Sequence, residues 1–361
     1  MASDRRSKVS NLVESGTIIT SITLTPPLSP PKDARIVSSL GPEPWAAPWW
    51  KPAQGDRMTF FYLLTIHLLA LIGLIFFPSP GWKIVALTFG IAWLGGMGVT
   101  VCYHRTLAHT SLRLHPAVRH LLIFFAMFNG SGAPDSWTAN HRQHHAKVET
   151  PEDISSPSIG GFWWSHLRWL WQAGNVPLAR WCPDLDKAEY RFWNRLQVPL
   201  LAVSLFGGLA LGPAAFFWLG PMRLVGSLHM QCFINSIAHM RSGRRPGEDS
   251  SQNIVWLGFL HFFQGENWHG NHHAKPWSAR LGWKLWQIDF GWYAIVLLEA
   301  GGLATKVRRP NVLKASNNAA SVATRPEIGF LNPDPFDSGR RSAEGSRGSH
   351  TPQPGDAMSS A

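Results

Sequence analysis

MTFFYLLTIHLLALIGLIFF, residues 58–77, decides the fold. Its 20 residues are apolar except for Thr59, Tyr62, Thr65 and His67. As a helix it extends about 30 Å, the thickness of a bilayer's hydrocarbon core. Pro78, Pro80 and Gly81 then force a tight turn, and Trp82 to Tyr103 forms a second apolar stretch. A second hairpin is expected later: Leu196 to Gly220, a break at Pro221, then Met222 to His239. No signal-peptide cleavage pattern precedes the first stretch, so it is read as retained. Four spans in two hairpins place both termini and residues 104–195 on one side of the membrane.

Composition supports this reading. The chain has 361 residues, and its mean hydropathy of -0.06 hides an uneven distribution. Residues 1–57 and 310–361 are rich in Pro, Ser and Gly and read as disordered tails around a domain at 58–309. Of 33 Lys and Arg, seven precede residue 58, ten lie in 104–195 and fourteen follow residue 240. Lys83 and Arg223 remain, each beside an expected turn. Such sorting follows the positive-inside rule, so the net charge of +11 reflects topology and not a nucleic-acid partner. Three Cys without CxxC spacing exclude a disulfide framework or a zinc ribbon. Pro116 to Gly130 is too short to cross; it lies in the interface or packs on the soluble cap. The expected fold is therefore an all-α integral membrane protein, four transmembrane helices in two hairpins with a cytoplasmic helical cap.

The chemistry lies in the 16 His. Eight fall in three clusters: His104-x4-His109, His141-x2-His144-His145 and His269-x2-His272-His273. Positions i, i+3 and i+4 share one helix face, so each H-x-x-H-H can present three imidazoles to one point. The i, i+5 pair His104 and His109 suits a helix end. All three clusters lie on one side of the bilayer and can converge. Imidazole suits Fe, Zn, Cu and Ni, and eight ligands are too many for one ion and right for two. The fourth span adds His229, Gln231, Asn235 and His239, and polar groups in a membrane are costly and usually functional. His239 is expected as a ninth ligand and Asn235 as a direct or water-mediated one. Interhelical hydrogen bonds are the expected role of His229 and Gln231, and His166 is expected to stand behind the ligands. Asp135, Glu149, Asp153, Glu266 and Asp289 are candidate acceptors for the outer ring N–H groups.

These residues resemble the membrane fatty acid desaturases, in the stearoyl-CoA-desaturase-like branch with plant and cyanobacterial Δ9 members. The resemblance covers about residues 80–309. It rests on GVTVCYHRTLAH (98–109), PDSWTANHRQHH (134–145), GFWWSHLRWL (161–170), NSIAH (235–239), GENWHGNHH (265–273), SARLGWKLWQID (278–289) and GLAT (302–305). It implies a di-iron centre held by His104, His109, His141, His144, His145, His239, His269, His272 and His273, with Asn235 acting through a water. It implies O₂-dependent insertion of a cis double bond at Δ9 into a long-chain acyl-CoA or acyl-lipid, in unsaturated fatty acid biosynthesis. Electrons would come from cytochrome b5 or ferredoxin docked on the cap, in a bacterial inner membrane or the endoplasmic reticulum. Ala92, Gly95, Gly96, Gly98, Thr100 and Trp137 are the candidate tunnel residues, and Gly207, Gly208 and Gly212 leave room on the third span. Three positions depart from the family pattern: Asp153-Ile154-Ser155 replaces Asp-Pro-His, Gly270 replaces an Asn, and Cys102 stands where Gly is common. The competing readings are a di-iron lipid hydroxylase and a non-enzymatic metal or haem membrane protein. A transporter would hold its ligands within the spans, and here only the fourth has them. A haem carrier would need deep His pairs such as His67 with His229.

Overall fold

A computed structural model describes residues 43–53, 56–240 and 247–310, and the compact unit begins at Pro44. The expected disordered stretches 1–42 and 311–361 lie outside the described residues. The last part of the expected N-terminal tail is structured: Pro44–Ala46 forms a 3-10 turn and residues up to 53 are hydrogen-bonded to the cap.

The described residues are mostly helical. Helix α1 is Arg57–Phe76, stopped by Pro78, and Gly81 turns the chain at φ +93° into α2, Trp82–Met97. The axis of α2 continues without a break as a π-helix over Gly98–Ala108, eleven buried residues. Helix α3 is Pro116–Phe128 and α4 is Pro134–Lys147. Helix α5, Pro157–Trp163, runs on through Trp164–Arg168 and Trp169–Gln172, followed by α6, Leu178–Trp181. Helix α7, Ala188–Phe206, ends in a 3-10 turn at Gly207–Leu211. Then come α8, Pro213–Phe217, a π segment Trp218–Met222 and α9, Arg223–Ser236, closing with Ile237–His239. The cap is completed by α10, Leu257–Leu260, α11, His269–Ala274, and α12, Phe290–Ala300. Proline stands at the first turn of α3, α4, α5 and α8, where its missing N–H costs nothing.

Among the described residues three helical stretches are long and apolar enough to cross a membrane: Arg57–Phe76, Trp82–Ala108 and Ala188–Leu211. The second hairpin turns at Gly212, φ +104°, and not at the expected Pro221. Pro221 sits inside the π segment, which absorbs the backbone bond that proline cannot make. The return run from Pro213 to His239 is continuous but more polar than the other three. Arg223, expected beside a turn, is buried within it. Its guanidinium donates to Leu219 O (2.7 Å), Asn129 Oδ1 (2.7 Å) and Ser204 Oγ (2.5 Å), so the buried charge is satisfied.

Helix α3, at 13 residues, packs on α2 and α7. A Cβ on Gly98 would stand 2.3 Å from Leu122 O, so glycine there permits the close crossing. Two buried arginines join the second span to the cap. Arg105 pairs with Asp289 (2.8 Å) and donates to the Ala279 and Gln264 carbonyls (both 2.9 Å). Arg142 donates to the Leu107 (2.7 Å) and Ala108 (3.1 Å) carbonyls, capping the end of the π-helix. Two short strands, β1 (Arg113–Leu114) and β2 (Ala304–Thr305), pair antiparallel and tie the chain after α12 to the cap floor.

Candidate metal centre

The π-helix explains the spacing of the first histidine pair. Bonds of i→i+5 type, such as His109 N to His104 O (3.1 Å), stack residues five apart. The His104 and His109 rings accordingly lie 5.1 Å apart, on the same side and not 140° apart. Helix α4 carries His141, His144 and His145; α11 carries His269, His272 and His273; the end of the fourth run carries His239.

These nine imidazoles form two groups, within each of which the facing nitrogens all lie within 4.8 Å of one another. The first holds His104, His109, His141, His145 and His272; the second holds His144, His239, His269 and His273. The expectation that each H-x-x-H-H points at one spot is corrected here. On α4 and α11 the i, i+4 pairs stay together while the i+3 ring crosses to the other group. Each H-x-x-H-H therefore serves both groups, whereas His104 and His109 both serve the first.

Carboxylates fix four of the rings from behind. His104 Nδ1 meets Glu266 (2.9 Å), His144 Nδ1 meets Asp153 (2.9 Å), His239 Nδ1 meets Glu149 (3.1 Å) and His273 Nδ1 meets Asp249 (2.9 Å). Glu149 is held at φ +58°, an uncommon conformation for a residue with a side chain, and it accepts from Ser156 and Ser250 as well as His239. Against burial, those bonds lower the Glu149 carboxyl to about 2. Against burial too, the His104 ring beside Glu266 lowers that carboxyl to about 2. Of the acceptors expected from sequence, Asp135 instead bonds Asn194 and Asp289 pairs with Arg105. Asp249 was not anticipated: it lies 24 residues before its partner His273, and no spacing rule reaches that far.

A neutral imidazole has one N–H. Where that N–H is given to a carboxylate, as the geometry of these four rings allows, the inner nitrogen is left as a lone pair. The His144 and His273 inner nitrogens face each other at 3.4 Å, those of His239 and His269 at 2.8 Å, and those of His104 and His272 at 3.0 Å. Burial, then the neighbouring imidazoles, holds His109, His141, His145, His269 and His272 well below the ordinary histidine value, so they stay neutral. Burial also lowers His144, but Asp153 outweighs it and raises the ring, which marks a place that favours a positive charge. Nine convergent nitrogen donors backed by four carboxylates fit two transition-metal cations, and the all-nitrogen set disfavours Mg²⁺ and Ca²⁺.

A cavity of about 690 Å³ opens onto both groups, lined by His104 and His141 of the first and His144 and His269 of the second. Its size is that of a small-molecule site. Asn235, Ala92, Gly96 and Trp137 line it, and Trp137 stacks on His141 at 4.9 Å. Gly95, Gly98 and Thr100 are outside its lining. A Cβ on Gly95 would meet Asn129 at 2.3 Å, Gly98 crosses α3, and the Thr100 hydroxyl donates to Glu266. Gly208 packs against the Ala215 backbone, and Gly207 and Gly212 shape the hairpin turn. His166 is no part of either group: it bonds His229 (2.9 Å), which bonds His67 (3.1 Å), and Gln231 bonds Ser131 (3.0 Å).

The long apolar helices fit a membrane protein, and its two buried histidine groups beside the cavity could hold metal ions. The sequence profile described as Fatty acid desaturase matches residues 80–295, and the chain belongs to that family. It is 36% identical over 267 residues to Delta-9 acyl-lipid desaturase 2 of Arabidopsis thaliana, covering 71% of this chain and 83% of that protein. It is 35% identical to icosanoyl-CoA 5-desaturase of Limnanthes douglasii, over 72% of this chain and 74% of that one. It is 32% identical to sn-1 stearoyl-lipid 9-desaturase of Synechocystis sp., over 72% and 82%. The protein is thus an oxidoreductase of the desaturase type acting on fatty acyl groups.

Proposed function

We propose that this protein introduces a cis double bond at Δ9 of a long acyl chain, using O₂ and a centre of two irons. His104, His109, His141, His145 and His272 would hold one iron, and His144, His239, His269 and His273 the other, with Asn235 reaching the centre through a water. The observation that carries this reading is the apolar cavity that ends on both histidine groups. Bound iron would supply the oxidising power that acid–base groups lack against an unactivated C–H bond.

The chain's own residues bind, orient and exclude water. Ala92 and Gly96 leave the second span thin where it faces the cavity, and Trp137 walls the acyl chain while fixing the His141 ring. Leu63, Leu201 and Leu224 keep the cavity dry. Glu149, Asp153, Asp249 and Glu266 hold protons on the outer nitrogens so that the inner ones remain ligands. The balance requires two hydrogens from the chain plus two electrons and two protons from a donor, giving two waters from O₂. The donor would be cytochrome b5 or ferredoxin, docked on the cap. The run Pro213–His239 would be the fourth crossing, with both termini and the metal centre on the cytoplasmic side.

The test is gas chromatography–mass spectrometry of fatty acids from a desaturase-deficient host expressing the chain. New Δ9 monoenes, lost in His144→Ala and His272→Ala, are expected. Hydroxylated acids in their place would overturn desaturation in favour of hydroxylation.

A further inference from the structure

The cap carries an apolar tip whose side chains lead back to the histidine groups. Between α11 and α12 the chain turns outward at Trp283-Lys284-Leu285-Trp286, with Leu285 95% and Trp286 57% exposed. The turn is held from within. Buried Gln287 accepts from the backbone N–H groups of Trp283 (2.8 Å) and Lys284 (2.9 Å) and from Asn271 of α11 (3.2 Å). Buried Asp289 accepts from those of Leu281 (2.9 Å) and Gly282 (3.2 Å). Exposed apolar side chains on so fixed a turn mark a contact surface.

Trp286 also touches the protein's interior. Its ring meets that of Trp268 edge-on at 5.3 Å, and Trp268 is 2% exposed, its Nε1 donating to Ile288 O (2.8 Å). Trp268 joins both metal-binding groups. It precedes His269 of the second in the chain, and its carbonyl accepts from the backbone N–H of His272 of the first (3.1 Å). Electron tunnelling decays steeply with distance, and least steeply through bonded and packed atoms. The path Trp286–Trp268–His269 runs from the surface to the buried histidines with one ring contact and otherwise covalent bonds.

Charge around the tip selects what docks there. Residues 274–288 hold Lys275, Arg280 and Lys284 and no Asp or Glu. Lys284 Nζ lies 5.8 Å over the Trp286 ring and Lys275 Nζ 4.9 Å over the Trp283 ring, so cations rim the apolar tip. A basic rim around an aromatic centre fits an acidic protein surface and speeds its approach. Contact with lipid would use the same tip but gives no reason for the ring contact with Trp268.

We propose that the turn 283–286 is the docking site of a small acidic one-electron carrier protein, and that Trp286 and Trp268 bridge its electrons to the metal centre. This rests on the desaturase reading above, whose balance needs two electrons, and adds where they enter. Each docking oxidises the carrier by one electron and reduces the centre by one, so two dockings serve a turnover.

The experiment uses the full chain in lipid nanodiscs, with the soluble domain of cytochrome b5 and ferredoxin, both reduced, as probes. With the iron-loaded chain, anaerobic stopped-flow absorbance follows oxidation of each carrier. Trp286→Ala should slow the saturating rate at least tenfold, Trp286→Phe should restore most of it, and reduction by excess dithionite should not change. With the metal-free chain, Lys275→Glu combined with Lys284→Glu should weaken carrier binding at least tenfold, as should raised salt on the native chain. Unchanged carrier oxidation in Trp286→Ala, or unchanged binding in the charge-reversed chain, overturns the proposal and leaves the desaturase reading standing. A native chain that binds neither carrier does the same. So does a nitroxide at Leu285→Cys that dissolved oxygen relaxes more strongly than a water-soluble nickel chelate, because the tip then lies in lipid. Bound iron that neither carrier nor dithionite reduces overturns both readings.

Discussion

Each metal-binding group depends on carboxylates that bond the outer nitrogens of its rings. Asp153 binds His144 Nδ1 and also accepts from the backbone N–H groups of Glu149 (3.2 Å) and Ser155 (3.1 Å), so it is rigid. In Asp153→Asn the His144 ring loses its charged acceptor, and iron affinity should fall about 10–100-fold. Titration with a competing chelator checks this; unchanged affinity would show that Asp153 serves only the loop. The neutral imidazoles also predict a pH dependence. Five rings have folded values well below the ordinary 6.5, so between that pH and their folded values the unfolded chain binds protons that the native one does not. Stability is therefore complete above pH 6.5 and is lost as pH falls below it, before Glu149 and Glu266 begin to protonate. Melting of the apoprotein in detergent at pH 7.5, 6.0 and 5.0 should give steadily falling midpoints. A flat profile would contradict the buried neutral cluster. At this scale eight of the nine histidines that converge were legible in the sequence by their clustering, and His239 by its polar place in the fourth run. Their division into two groups was not visible, because i+3 and i+4 differ by about 100° on the helix and only the placement of α4 and α11 around the site decides where each direction leads. Asp249 was invisible for a related reason: a carboxylate recruited from a loop leaves no periodic trace.

The elements differ most from their sequence reading where one residue is added to a turn. The i, i+5 spacing of His104 and His109 fits poorly on an α-helix and well on the π-helix that forms. The eleven-residue π segment keeps both rings on one group while the second span stays continuous into the cap. Proline misplaced the second hairpin. Pro221 reads as a breaker, yet the turn is Gly212-Pro213, where glycine takes φ +104° and proline opens the next helix. The close crossing of α2 and α3 gives a paired test. In Gly98→Ala the new methyl meets Leu122 O at 2.3 Å and Ala126 N at 2.8 Å, backbone atoms that can yield only if α3 moves. A loss of about 1–3 kcal/mol is expected. Gly90→Ala, with nothing within 4 Å, should be neutral or stabilising by about 0.5–1 kcal/mol. Equal melting temperatures for the two variants would remove the argument that the crossing requires glycine.

Across the whole molecule, the cap ties together ends that are far apart in sequence. The stretch from Trp45 to Lys51 lies on the helix formed by residues 164–172. Arg168 donates to Ala47 O (2.7 Å), Trp171 to Trp49 O (2.8 Å) and Gln172 to Pro48 O (2.8 Å). The cap is thereby fixed to the start of α1, and Asp56, Asn140 and Trp169 all line the cavity. The same closure constrains topology. His109 ends the second span and His239 ends the fourth run, and His145 of the first group and His144 of the second are consecutive on α4, so both ends return to one face. On the proposed topology α7 leaves that face at Ala188 and Pro213–His239 is the crossing that returns the chain to His239, even though its polar side chains lower its mean hydropathy. Those side chains are bonded within the bundle, as Arg223 and Gln231 show, so the cost that a hydropathy average assigns to them is largely met inside the protein. The expected outcome is that Lys187→Cys and Leu285→Cys, in intact spheroplasts or sealed vesicles, react with a membrane-impermeant maleimide only from the cytoplasmic side. Ser79→Cys and Leu211→Cys should react only from the other. The native Cys102, Cys182 and Cys232 are buried and add little background. Labelling of Leu285→Cys from the side opposite Lys187→Cys would mean that the polar fourth run does not return, and a three-crossing chain could not then bring His239 to His144.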